Sequence, residues 1–160
     1  MMQEKLSSIR LFDTIDERSL NALSAIVRYK TYKNGEYIIK QGLDSDGVYI
    51  LFSGRVKITI RTHTGPIVVL DALQAGRIFG TLSAIDKKER GANCVASGDV
   101  EVGYIPLSDF HDLLKGASPL ALGFQIAILR SLFDEIRKTN TQVSELSALD
   151  AYTIPKSIGT

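Results

Sequence analysis

The chain holds one cysteine, Cys94, and no tryptophan. A single thiol closes no internal disulfide, and two distant histidines, His63 and His111, supply no zinc-ligand spacing with it. A reducing, cytoplasmic setting is expected. An excess of one charge is also missing. Nineteen Lys and Arg stand against 18 Asp and Glu, a net +1 over 160 residues, so no global field draws the chain to nucleic acid or an anionic membrane. Any anion site must be local. Long apolar runs are absent too: no window approaches the ~18 residues of a membrane span, and the opening MMQEKLSSIR lacks the apolar segment of a signal peptide. No Ser/His/Asp set stands out, and a barrel metalloenzyme would need His and carboxylate ligands clustered on neighbouring strands. No catalytic residue, metal or cofactor is expected.

What is present is enough apolar residue, 44% of the chain, to bury one core, so residues 1–160 are taken as one domain. Over residues 14–30, Ile15, Leu20, Leu23, Ile26 and Val27 recur at helical spacing, with Thr14 and Asp16 or Glu17 as caps. Asn34-Gly35 then marks a turn before Tyr37-Ile38-Ile39, and Asp46-Gly47 opens Val48 to Phe52. Past Gly54, Val56, Ile58 and Ile60 alternate with polar residues as a half-buried strand does, and Ile67 to Leu70 return from the Thr62–Pro66 loop. Cys94 to Ala96 and Val100 to Ile105 follow, joined by a Ser97-Gly98-Asp99 turn. Strands at this short spacing imply a sandwich or barrel.

From Ser108 the pattern turns helical. Ser108 can cap a short helix carrying Phe110, Leu113 and Leu114. Ser118-Pro119 provides an N-cap and a first-turn proline for one long helix, from about residue 119 to 149, with no breaker before Pro155. Along it Leu122, Ile126, Leu129, Phe133, Ile136, Asn140 and Val143 step by four and three, the spacing of a coiled-coil seam. A second stripe, Leu120, Phe124, Ile128 and Leu132, lies off it. Two apolar faces predict packing on the roll and on a second copy, a homodimer; one wide stripe facing a large core is the alternative.

Between the strands lies Phe79-Gly80-Thr81-Leu82-Ser83-Ala84-Ile85, a helical turn opened by a glycine, followed by Arg90-Gly91-Ala92. A helix start offers free N–H groups and partial positive charge. Gly80 lets a ligand approach without a Cβ, and Arg90 adds a planar fork of donors. These are the parts of a phosphate cradle. The Asp86 to Glu89 connection reads as a solvated loop without contacts.

Leu11-Phe12, Gly35-Glu36, Gly42, Tyr49-Ile50, Gly54 and the Phe79-Gly80-x-Leu82…Arg90-x-Ala92 cassette occur in this order. In this the chain resembles the cyclic nucleotide-binding domains of the catabolite activator protein and cyclic-nucleotide-dependent kinase family, from Leu11 to about Leu149. The resemblance implies a mainly β fold, an eight-stranded double-stranded β-helix or jelly-roll-like β-roll over about 30–106. An N-terminal helix and C-terminal helices over about 108–149 would flank it. It implies a cyclic nucleotide, cAMP or cGMP, against Phe79, Gly80, Thr81, Leu82, Ser83, Arg90, Gly91 and Ala92. Ile58 and Leu70 would line the base, and Thr139 and Asn140 would reach it from the long helix. That helix would also dimerise through Leu122, Ile126, Leu129, Phe133, Ile136 and Val143. Thr81 stands where the family has a ribose-binding Glu; losing a charge-assisted hydrogen bond is worth about 1.5 to 3 kcal/mol, roughly one to two decades of affinity. Only about ten residues follow the long helix, so no direct DNA binding is expected and output would run through an unknown protein partner. The alternative is a ligand-free dimeric interaction module of the same fold.

Overall fold

The computed structural model describes residues 1–153; the expected helix stop at Pro155 lies outside them. In chain order the elements are α1 (Met2–Ser7), a 3₁₀ turn (Arg10–Phe12), α2 (Glu17–Ile26), β1 (Arg28–Tyr32), β2 (Tyr37–Ile39) and β3 (Gly47–Arg61). Then come β4 (Ile67–Gln74), β5 (Ile78–Phe79), α3 (Thr81–Asp86), β6 (Asn93–Pro106), α4 (Leu107–Lys115) and α5 (Pro119–Thr153). All pairing is antiparallel, in the order β1-β6-β3-β4, with β2 added on β6 and β5 on β3.

Two strands are longer than the residue pattern implies. The expected breaks at Gly54 and at Ser97-Gly98-Asp99 are bends inside β3 and β6, not ends. Gly54 has φ +88°, and a Cβ there would lie 2.4 Å from the Asp99 carbonyl oxygen, so the two strands bend against each other at a point where no side chain fits. Counting each bent strand as two segments turns the six strands into the eight of a β-roll. Backbone pairing resumes on both sides of the bend, Ser53 with Glu101 and Arg55 with Ser97.

The apolar run Val48-Tyr49-Ile50-Leu51 is buried on both faces because it separates two cores. Val48 and Ile50 face the helices, packing with Leu6, Phe12, Leu23, Ile105, Phe110 and Phe124. Tyr49 and Leu51 face the interior of the roll with Ile39, Val56, Phe79, Cys94 and Val102.

Several boundaries moved for identifiable reasons. The helix expected to reach residue 30 stops at Ile26, and Arg28–Tyr32 pairs instead with Val100–Tyr104, where alternating β-branched and aromatic residues find a partner strand. Asp16 caps α2, its carboxylate accepting from the Ser19 N–H at 2.9 Å. Ser108 caps nothing: α4 begins at Leu107, whose N–H donates to the Asp46 carbonyl at 3.0 Å. Ser118 does cap α5, accepting from the Ala121 N–H at 3.1 Å. Gln125 of α5 lies with its amide nitrogen 2.9 to 3.1 Å from the carbonyls of Leu113, Leu114 and Gly116, closing the end of α4. No single helix among the described residues is long and apolar enough to cross a membrane.

Candidate functional site

Arg90 is the centre of the site. Its residue is only 4% exposed, and its main chain is fixed first: Arg90 N–H donates to the Leu43 carbonyl and its carbonyl accepts from Gly42 N–H, both at 2.8 Å. The guanidinium then reaches across the roll. One terminal nitrogen, Nη1, donates to the Gly80 carbonyl at 2.7 Å and to Ser83 Oγ at 2.9 Å. Nη2 donates to Asp46 Oδ1 at 2.9 Å and to the Gly47 carbonyl at 2.6 Å. A buried guanidinium without such partners would be prohibitively costly.

Asp46, which the residue pattern places only in a turn before β3, is the carboxylate partner of the site. Its other carboxylate oxygen accepts from Tyr49 Oη at 2.9 Å, and its carbonyl accepts from Tyr104 Oη at 2.7 Å. Burial, reinforced by the nearby Asp46 charge, pushes the Tyr49 phenol far above its ordinary range. Tyr49 in turn stacks on Phe79, ring centroids 5.4 Å apart. No local sequence signal connects Asp46 to Arg90, which lie 44 positions apart.

Gly80 is required for a reason other than the expected one. It takes φ +77°, and a Cβ there would lie 2.8 Å from Arg90 Nη1 and 2.9 Å from Ile39 Cδ1. The missing side chain makes room for the guanidinium, and the left-handed backbone turns the chain from β5 into α3.

Beside Arg90 lies a cavity of 510 Å³, within the ordinary range for small-molecule sites, roughly 300 to 1,000 Å³. The cassette residues Phe79, Gly80, Thr81, Leu82, Ser83, Arg90, Gly91 and Ala92 all line it, as does Ile58. Three further expectations are not met. Leu70 is 51% exposed on β4 and lies outside this wall; the β3–β4 register shifts between Ile58 and Thr59. Thr139 and Asn140 are exposed and also outside it, and Thr139 Oγ1 donates back to the Glu135 carbonyl of its own helix at 2.9 Å. The residue that α5 presents to the cavity is Glu135, one turn earlier. Nor is the 86–89 connection without contacts, for Asp86, Lys88 and Glu89 complete the rim.

Glu135 is a partly desolvated carboxyl, although much of the residue faces solvent. Burial pushes it above the usual carboxylate range; Arg77 and Lys138 oppose this and Asp71 adds to it. Cys94, in the same wall, has its thiol pushed up to about 12 by burial, against the pull of Arg90. The wall thus carries Asp86, Glu89 and Glu135 against Lys88 and Arg90. Asn93 is structural, its side-chain oxygen accepting from the Gln41 N–H at 2.9 Å. Among the described residues no group of three or more His, Cys, Asp or Glu could hold a metal ion.

The expected seam of α5 is exposed: Leu122, Ile126, Leu129, Phe133, Ile136 and Val143 are 44 to 57% accessible. The other stripe is the packed one, with Phe124 and Ile128 buried and Phe124 against Phe12 and Phe110 at 6.4 and 6.0 Å. Two ion pairs hold the middle of α5 to the roll. Lys138 Nζ donates to both oxygens of Asp71 at 2.6 Å, and Arg77 lies 3.8 Å from Asp134.

A β-roll with an arginine-centred cassette, an adjoining cavity of small-molecule size and a long C-terminal helix defines the fold and the candidate site. Residues 29–116, more than half of the 160, match the family described as the cyclic nucleotide-binding domain, and the chain belongs to that family. It is 30% identical over 116 residues to the cAMP-dependent protein kinase type II regulatory subunit of Drosophila melanogaster, covering 71% of this chain and 30% of that one. The chain therefore spans about a third of that relative. The regulatory domain of Toxoplasma gondii PKA, crystallised with cAMP, superposes with a TM-score of 0.70 at 25% identity, over 84% of this chain and 49% of that one. A cyclic nucleotide-binding domain from Methylobacillus flagellatus KT has the same fold, with a TM-score of 0.78 at 20% identity over 98% and 85% of the two chains.

Proposed function

We propose that the chain is a non-catalytic sensor module that takes a cyclic nucleotide, cAMP or cGMP, or a related phosphorylated ligand in the cavity beside Arg90. The observation that carries this is a buried guanidinium lining an open cavity next to the first turn of α3. A phosphate would share the guanidinium with Asp46 and Gly80, and meet the N–H groups that a helix start leaves free. The ligand would also touch Glu135, so binding would favour one position of α5 by differential affinity. The exposed α5 stripe supports a homodimer as the body through which that shift is transmitted to a protein partner. A reducing, cytoplasmic setting accompanies this reading, with Cys94 buried and protonated.

Calorimetric titration tests it directly. Saturable heat with cAMP or cGMP is expected, and Thr81→Glu should tighten binding by roughly one to two decades by restoring an acceptor for a ribose hydroxyl. No heat and no thermal shift for either protein at millimolar nucleotide would end the proposal.

A second reading, a ligand-free dimeric module, draws support from one observation: the four terminal N–H bonds of Arg90 are already made to protein acceptors. Arg90→Ala does not separate the two readings, since it unravels those bonds with or without a ligand. The nucleotide titration does, while charging the stripe tests the dimer that both readings share: Leu129→Asp with Ile136→Asp should give monomers by sedimentation, and a dimer that survives both would remove the α5 stripe as its interface.

A further inference from the structure

A second cavity, of 740 Å³, lies on the far side of the β4–β5 turn, among residues that the cassette does not use. Three arginines line it from three separate segments: Arg10 from the 3₁₀ turn, Arg77 from the β4–β5 connection and Arg130 from α5. Asp13 and Asp134 are the carboxylates in the wall. They leave the arginines under-used. Arg77 meets Asp134 only at 3.8 Å, too long for a hydrogen bond, and among the described residues the side chains of Arg10 and Arg130 make no hydrogen bond or ion pair, only their main chains being bonded. This contrasts with Arg90, whose terminal nitrogens are saturated by the protein.

The geometry points to a second anion site, taking a phosphoryl group between Arg10, Arg77 and Arg130. Guanidinium forks match phosphate oxygens two at a time, and three of them around a concave surface exceed the two carboxylates available to neutralise them. The site is joined to the cassette cavity through two continuous stretches of chain. Arg77 directly precedes β5, which ends at Phe79 beside Gly80, and Asp134 directly precedes Glu135. A phosphoryl group that draws Arg77 away from Asp134 removes one of the two ion pairs holding the middle of α5. Occupancy of the two cavities is then coupled, and the coupling is reciprocal. The site itself does not depend on what the cassette binds.

The test is an NMR titration of the full chain, following backbone amides and arginine Nε–H signals, against sodium chloride at matched ionic strength. Two probes are used, inorganic pyrophosphate and N-acetyl-O-phosphoserine amide. Saturable shifts are expected at Gly76, Arg77, Arg10 and Arg130, with affinity at least about tenfold weaker in the double variant Arg10→Gln, Arg130→Gln, the size of one lost charge-assisted hydrogen bond. Tighter binding of the phosphoserine probe assigns the group to a partner's side chain; tighter binding of pyrophosphate assigns it to a free ligand. Both exposed arginines can be changed without touching either core, so a folded variant is expected from its amide spectrum. Shifts that fail to saturate, that survive unchanged in the double variant, or that fall only at Gly80 to Ala92 would each overturn the site.

Discussion

The 79–93 cassette and the 122–143 stripe of α5 stand out equally in the sequence, yet they end in opposite states. In the cassette every strong group has found a partner within the chain: Arg90 is buried on four acceptors, Gly80 is shaped around the guanidinium and Asn93 holds the neighbouring turn. The stripe has found none, and its six apolar side chains stand about half exposed. The difference separates a part whose polar groups are satisfied within the chain from one whose apolar side chains are left half exposed. A cradle whose arginine is already oriented loses little conformational entropy when a ligand arrives. A row of exposed apolar side chains would gain by burial against a second surface, as the proposed dimer requires.

Substitutions in the two regions should therefore separate by size. Arg90→Ala is expected to cost the most, about 3 kcal/mol, because Ser83 and the Gly80 and Gly47 carbonyls lose their donor beside the roll interior and the more exposed Asp46 loses its ion pair. Denaturant unfolding measures it, and a loss below half that value would mean that water replaces the guanidinium. Gly80→Ala comes next at about 2 kcal/mol, combining a left-handed backbone with crowding against Nη1. Leu129→Asp on the stripe should fall within about 0.5 kcal/mol for the monomer. A large destabilisation there at low protein concentration would show that the stripe packs on its own chain.

Small effects lie also where α5 is tethered to the roll, and they carry opposite signs with pH. Burial raises the Asp71 carboxyl, but the Lys138 hydrogen bond, the Ala72 N–H and the charges of Lys138 and Arg77 outweigh it and hold it below the usual value. Its stabilising contribution is present above the ordinary aspartate range and is lost as pH falls through the lower folded value. Lys138 is 44% exposed, so Asp71→Asn should cost no more than about 1 kcal/mol at neutral pH. Glu135 is shifted the other way, mainly by burial. Its folded form favours the proton, so its contribution is present below the ordinary glutamate range and fades as pH rises through the raised value. Glu135→Gln should slightly raise the melting temperature at pH 7 and leave it unchanged near pH 4. A lowered melting temperature at pH 7 would mean that its charge is paired. Cys94 offers a local probe of the same cavity: with its thiol pushed up to about 12, it should resist alkylation at neutral pH in the folded chain and react once unfolded.

Most of the roll was legible because period-two alternation and paired turn glycines are local properties. Where the pattern misled, the competing force was tertiary. Gly54 and Gly98 look like strand ends, but each is a bend that the opposite strand accommodates. Residues 28–30 continue a helical spacing, but β6 offers their backbone a better partner. The cassette was legible as a set of residues, and the structure brings all eight of them to one wall. The long-helix contacts slipped by a turn, from Thr139 to Glu135, because which face of a helix meets a cavity depends on where the helix docks. Docking here is fixed by Phe124 and the Lys138–Asp71 pair, through Phe12 and Asp71, which are remote in the chain from the residues in question.

The order of residues alone determined the alternating strands, the capped helix from Ser118, the apolar seam and the glycine–arginine cassette, since each follows from spacing along one segment. Only the folded chain decided that Asp46 meets Arg90, that Gly80 yields its space to a guanidinium and that Arg10, Arg77 and Arg130 share a cavity. Those groups are ten or more residues apart, and charge and hydrogen bonding act through the distance between atoms, which spacing along the chain does not encode.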